Sequence, residues 1–183
     1  MKKIVFSGLL VALVAAQVAF AHDPRTVAKD LSHVYSIEGA GKLTIRYKSL
    51  HFNEPGFAAR KTPRALTAFN GLWKSVGKLD TDFDVVIGGV QVSKGSYQLG
   101  FGFDADDNYK MILSSGGKET VIPLKMSLDG PMVNYFTIDV RPDNDTDALV
   151  LEARYGKLST WVAGTVPYLK PHEHPEAAPA KKP

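Results

Sequence analysis

Three carboxylates, Asp80, Asp82 and Asp84, alternate along one short stretch a few residues after Trp73. On an extended strand such side chains share a face, about 7 Å apart. Like charges held that close repel, and a bound cation or the hydroxyls of a sugar would relieve the repulsion. A tryptophan nearby offers a flat apolar ring on which a sugar stacks. Trp73, Asp80 and Asp82 are therefore the candidate ligand-binding residues. The competing structural reading puts Trp73 in the core. It makes the aspartates a solvated face or a turn, where their charge discourages edge pairing.

Histidine is sparse, with five in 183 residues. His22 follows Ala19-Phe20-Ala21, a small-x-small cleavage signal. If cleavage follows Ala21, the mature chain begins with His22. Its free amine and imidazole then chelate copper in the manner of a histidine brace, given one further imidazole from His33, His51, His172 or His174. The pair His172 and His174, flanking Glu173, is a weak transition-metal site in its own right. A solvated tail is the plainer reading of that pair. His22, His172 and His174 are thus the candidate metal ligands.

Two acidic runs resemble the start of a calcium loop: Asp143-Asn144-Asp145-Thr146-Asp147 and, more loosely, Asp104-Ala105-Asp106-Asp107-Asn108. Neither has the glycine at the sixth position and glutamate at the twelfth that close such a loop. Turn chemistry explains both, because Asp and Asn hydrogen-bond their own backbone. No serine lies in a G-x-S-x-G elbow, and no G-x-x-x-x-G-K phosphate loop is present. No cysteine nucleophile, disulfide or cysteine-ligated metal centre exists in a chain without cysteine. No cofactor is expected.

The elements that position these residues begin after an export signal. Lys2 and Lys3 precede an apolar run from Ile4 to Val14, so residues 1–21 read as a signal peptide. The apolar run to Phe20 approaches the length of an uncleaved anchor, but the small residues at 19 and 21 favour cleavage. Without cysteine, no lipid anchor follows. The expected location is periplasmic or secreted, with no membrane anchor after cleavage. Loss of Lys2 and Lys3 brings the 22 basic residues to within one of the 19 acidic ones. With no basic cluster interleaved with aromatics, no nucleic-acid partner is expected.

Residues 22–39 form a leader in which Val27, Leu31, Val34 and Tyr35 have helix-like spacing, which fits either one short helix or an irregular segment partly docked on the domain. Residues 50–70, with Pro55, Gly56 and Pro63, read as a long loop. Residues 170–183, rich in Pro, Ala and Lys, read as a disordered tail. Period-2 alternation fills the rest. It occurs at Leu43–Tyr47, Phe83–Ile87, Val90–Val92, Tyr97–Phe103, Tyr109–Leu113, Ile122–Leu128, Phe136–Val140, Leu149–Ala153 and Leu158–Val162. Pro123 places its strand at an edge or a bulge. Gly100 and Gly102 share one strand face, where missing side chains permit either a shallow ligand groove or close packing. Some nine strands without intervening helices predict an all-β fold over residues 40–169. The expected form is a single antiparallel β-sandwich of about eight or nine strands, with a barrel as the alternative.

The run Asp84-Val85-Val86-Ile87-Gly88-Gly89, followed by Lys94-Gly95-Ser96-Tyr97-Gln98-Leu99, resembles a bacterial secreted family, domain-of-unknown-function family 2911. Tyr135-Phe136-Thr137-Ile138 and the run from Leu149 to Gly156 look like its closing strands. The resemblance covers roughly residues 41–166. Family members show a tryptophan and a basic residue followed by Gly-Ala-Asn-Glu-Ala-Thr. Here Trp73-Lys74 continues as Ser75-Val76-Gly77-Lys78-Leu79-Asp80, without the Asn-Glu pair. The resemblance implies secretion and a β-rich domain, and assigns no activity.

Aromatic strands, few histidines and no assembled catalytic motif point first to a non-catalytic binding module of the bacterial envelope. Its partner would be a carbohydrate, another small ligand or an envelope component. The alternatives are a metal-binding protein, with copper at His22, and a structural or protein-interaction domain of the envelope.

Overall fold

A computed structural model describes residues 28–143 and 148–167. The signal segment, His22, residues 144–147 and the tail with His172 and His174 lie outside the described residues.

The described residues build twelve strands and two helices. In order they are β1 (Lys29–Ile37), β2 (Gly41–Ser49), α1 (Glu54–Ala58), α2 (Pro63–Trp73), β3 (Gly77–Thr81), β4 (Val85–Ile87) and β5 (Val90–Val92). There follow β6 (Gly95–Phe103), β7 (Tyr109–Ser115), β8 (Lys118–Pro123), β9 (Lys125–Ser127), β10 (Val133–Pro142), β11 (Leu149–Gly156) and β12 (Leu158–Thr165). They form two antiparallel six-stranded sheets. The first runs β1-β2-β3-β6-β7-β8, and the second β10-β11-β12-β4-β5 with β9 also paired to β12. The inner faces meet over Leu43, Ile45, Leu79, Leu99, Leu113 and Ile122 from the first sheet, and Ile87, Ile138, Leu151 and Val162 from the second. The arrangement is sandwich-like, and the sheets do not close into a barrel. Among the described residues no helix is long and apolar enough to cross a membrane.

Three features raise the strand count from the expected nine to twelve. Residues 29–37, expected within a leader read as a short helix or an irregular segment, form β1. Leu31, His33, Tyr35 and Ile37 alternate with more exposed neighbours, and this period-2 face prevails over the helical spacing. The aspartate stretch is not one strand. The chain leaves the first sheet after Thr81 and enters the second at Val85, so β3 and β4 belong to different sheets. The stretch Ile122–Leu128 likewise divides at Leu124, which passes the chain from edge strand β8 to β9. Pro123 ends β8 at the sheet edge, where its missing N–H breaks no interior ladder.

The expected loop at 50–70 holds α1 and the greater part of α2, which runs on to Trp73. Each proline sits in a first turn, where it costs no hydrogen bond. Asn53 caps α1 by accepting from the Gly56 N–H at 3.0 Å. Leu66, Phe69 and Trp73 line the inward face of α2. This helix fills a gap in the first sheet. β3 pairs with β6 only as far as Gly77–Leu99. Beyond that point the Asn70 side chain takes over, accepting from the Phe103 N–H at 3.0 Å and donating to its carbonyl at 2.9 Å. A Cβ at Gly100 would collide with the Lys74 carbonyl oxygen. Gly100 therefore admits the end of α2 and leaves no ligand groove.

The two sheets touch along a second line. Past Ser49 the chain meets β10, with Phe136 N–H donating to the Leu50 carbonyl and Phe52 N–H to that of Asn134, both at 2.8 Å. β10 shifts register against β11 between Val133 and Thr137, where it makes these contacts.

Candidate functional site

The structure does not gather the candidate ligand-binding residues. Trp73 is 6% exposed, edge-on to Phe136 and Tyr155 with ring centres 4.6 and 5.0 Å away. Asp80 lies on β3, where it accepts from Arg46 and from the Ser96 hydroxyl. Asp82 accepts from the Lys42 N–H at 3.0 Å, and Asp84 from the Lys94 N–H at 2.7 Å. Each aspartate satisfies a different segment around the crossover from β3 to β4. The alternation that would have aligned them ends at Thr81.

Asp104 organises its own turn, accepting from the N–H groups of Asp106 and Asn108 and from the Asn108 side chain. These bonds lower its pKa, the Asn108 amide most. His33 lies against Tyr47, and its Nδ1 is 3.9 Å from Asp139. The His51 ring meets Tyr135 edge-on. Among the described residues no three metal-ligating side chains gather to hold an ion.

A different aromatic occupies an exposed sheet face. In β12, Leu158, Thr160 and Val162 point into the core, so Ser159, Trp161 and Ala163 point outward. Trp161 is part-buried there, with Glu152 of β11 and Lys125 of β9 as cross-strand neighbours. Among the described residues no other ring packs on it, and its indole N–H meets no acceptor. A recess of about 840 Å³ adjoins this ring.

The recess follows from how β12 is paired. Its free side carries β9 opposite Ser159–Trp161 and β4 opposite Gly164–Thr165. Between them β12 lacks a ladder partner, and only the Gly88 N–H reaches in, to the Ala163 carbonyl at 2.8 Å. The β4–β5 turn and the Pro123–Leu124 corner wall this notch. Gly88 is required at the wall. It has φ of +58°, and a Cβ would come within 2.9 Å of Val162 and 3.0 Å of Ile122.

Charged groups frame the ring. Glu152 accepts from Ser159 at 2.7 Å and lies 3.9 Å from both Arg141 and Arg154. Arg141 lines the recess with Asp143 and Lys125. The site so combines a flat apolar ring with an unpaired donor, two cations and a carboxylate. Recesses of about 300–1,000 Å³ with a few fixed polar groups are typical of small-ligand sites. Sequence reasoning passed over Trp161, although the alternation assigned to Leu158–Val162 already placed residue 161 on the outward face.

No family model matches the chain, and no curated protein or solved structure matches it.

Proposed function

We propose that the chain is an exported, non-catalytic binding module, a β-sandwich that holds a carbohydrate against Trp161. The observation that carries this reading is the Trp161 ring, presented on an outer sheet face at the mouth of a recess, its N–H meeting no acceptor among the described residues. A pyranose has one face of C–H groups and a rim of hydroxyls. The indole face suits the first, and the indole N–H, Arg141, Lys125 and Asp143 suit the second. Export to the periplasm or exterior belongs to the proposal on the strength of residues 1–21. So does the resemblance to family 2911, which adds secretion and no ligand.

A panel of neutral and uronate-containing oligosaccharides and peptidoglycan fragments, immobilised and probed with the intact protein, tests it. At least one glycan should bind. Trp161→Ala should weaken that binding by about 30-fold, the loss of a tryptophan anchor worth about 2 kcal/mol. Absence of binding across the panel, or equal binding by Trp161→Ala, overturns the proposal.

A further inference from the structure

The outer face of the first sheet carries a second recess, of about 450 Å³ and open to solvent. It forms where β2 outruns β3. The two strands pair Arg46 with Lys78 and Tyr47 with Gly77, where β3 begins. β2 continues to Ser49, and its Lys48 N–H donates to the Val76 carbonyl at 3.0 Å. The chain that leaves α2 therefore runs beside β2 and walls the recess from Ser75 to Gly77. Gly77 keeps the two strands close, because a Cβ there would collide with the Arg46 carbonyl oxygen.

Three cations border this recess. Ile45, Tyr47 and Leu79 point into the core, which leaves Arg46, Lys48 and Lys78 on the exposed face. Arg46 and Lys78 are directly opposed, with Cβ atoms about 5 Å apart. Lys48 is the diagonal neighbour of Lys78 at about 7–8 Å, a span that two lysine side chains close on one ion. Like charges gathered in this way repel unless an anion is shared among them. Arg46 has its counter-ion in Asp80. Among the described residues no carboxylate lies within ion-pair reach of Lys48 or Lys78, although Asp30 borders the recess in register with Lys48.

The kind of cation left free selects the ligand. An arginine fork matches a planar carboxylate, and the Arg46 fork is engaged by Asp80. The two free groups are ammonium ions, point charges with three donors each, which suit the several oxygens of a tetrahedral anion. A phosphate monoester carries nearly two negative charges at neutral pH, and Lys48 and Lys78 supply two positive ones. We propose that this recess binds a terminal phosphate group, held between Lys48 and Lys78. The site lies on the opposite sheet from Trp161, and neither proposal depends on the other.

The test follows the amide NMR spectrum of the full chain at fixed ionic strength while inorganic phosphate or glucose 6-phosphate is added. Saturable shifts should centre on Lys48, Ser75 and Lys78. Lys48→Gln and Lys78→Gln should each weaken binding by about tenfold, the loss of one hydrogen bond between charged groups. Lys118→Gln removes the same charge from β8, outside the recess, and should leave binding unchanged. Asp30→Asn should tighten it, because the Asp30 carboxylate opposes an anion. Phosphatidylcholine vesicles containing phosphatidic acid distinguish a lipid headgroup from a soluble phosphate as the source. Vesicle binding that Lys78→Gln abolishes supports the site with a lipid phosphate, and soluble phosphate binding without vesicle binding supports it with a soluble one. No saturation with any probe, shifts spread over the surface, or equal losses in Lys118→Gln and Lys78→Gln overturns the proposal.

Discussion

The two tryptophans occupy opposite settings, Trp73 in the core and Trp161 on an outer sheet face. Trp73 closes an aromatic cluster with Phe136 and Tyr155, so Trp73→Ala should cost about 3–5 kcal/mol of stability in a denaturant titration. Trp161 supports no other ring among the described residues, and its replacement by alanine should leave the denaturation midpoint close to that of the parent protein. A second prediction concerns Thr137 on β10, whose hydroxyl is buried with no partner among the described residues. Thr137→Val should be neutral or stabilise by up to about 1 kcal/mol, because it removes a desolvated group that gains nothing. Measurable destabilisation in urea would show that the hydroxyl is satisfied in solution. At this scale the sequence was informative about residue type and misleading about convergence. Asp80, Asp82 and Asp84 alternate in the chain, but the strand holding the first ends before the second, and spacing alone does not reveal where a strand changes sheet.

Helix α2 acts as an edge cover for β6, with the Asn70 amide standing in for a strand partner at Phe103. Its docking depends on Gly100. Gly100→Ala would drive a methyl into the Lys74 carbonyl, so a loss of about 1–3 kcal/mol is expected. The same change at exposed Gly71, in the interior of α2 with open space around it, should instead stabilise by about 0.4–1 kcal/mol. Thermal melts of the two variants should therefore move in opposite directions. The strands were legible because inward residues recur at period 2 from β6 to β12. The helices were not, because Pro55, Gly56 and Pro63 read as breakers. A proline in the first turn is compatible with a helix, and the spacing of Leu66, Phe69 and Trp73 then gives α2 its buried face.

Across the whole molecule, two sheets are joined by strand crossovers and closed at one end by α1 and α2. Tyr47, Tyr109 and Tyr155 lie at these junctions, and burial raises the pKa of each above 10.0. Below pH 10 the folded and unfolded chains both keep these protons, so the three groups add no pH dependence. Above it the unfolded chain releases protons that the folded chain retains, and stability falls as pH rises. Alkaline titration should show unfolding coupled to tyrosinate absorbance, with a shallower pH dependence in Tyr155→Phe. A chain whose tyrosines ionise reversibly near pH 10 while still folded would show that they are not buried.

The outer face of the second sheet is where the fold opens onto solvent with a ring, a notch and fixed charges together. Fluorescence titration of the folded Trp73→Phe protein, in which Trp161 is the single remaining emitter, addresses that face most directly. Oligosaccharide addition should give a saturable change in Trp161 emission. A flat response across neutral and acidic oligosaccharides, from a protein whose circular dichroism matches the parent, would contradict carbohydrate binding at Trp161.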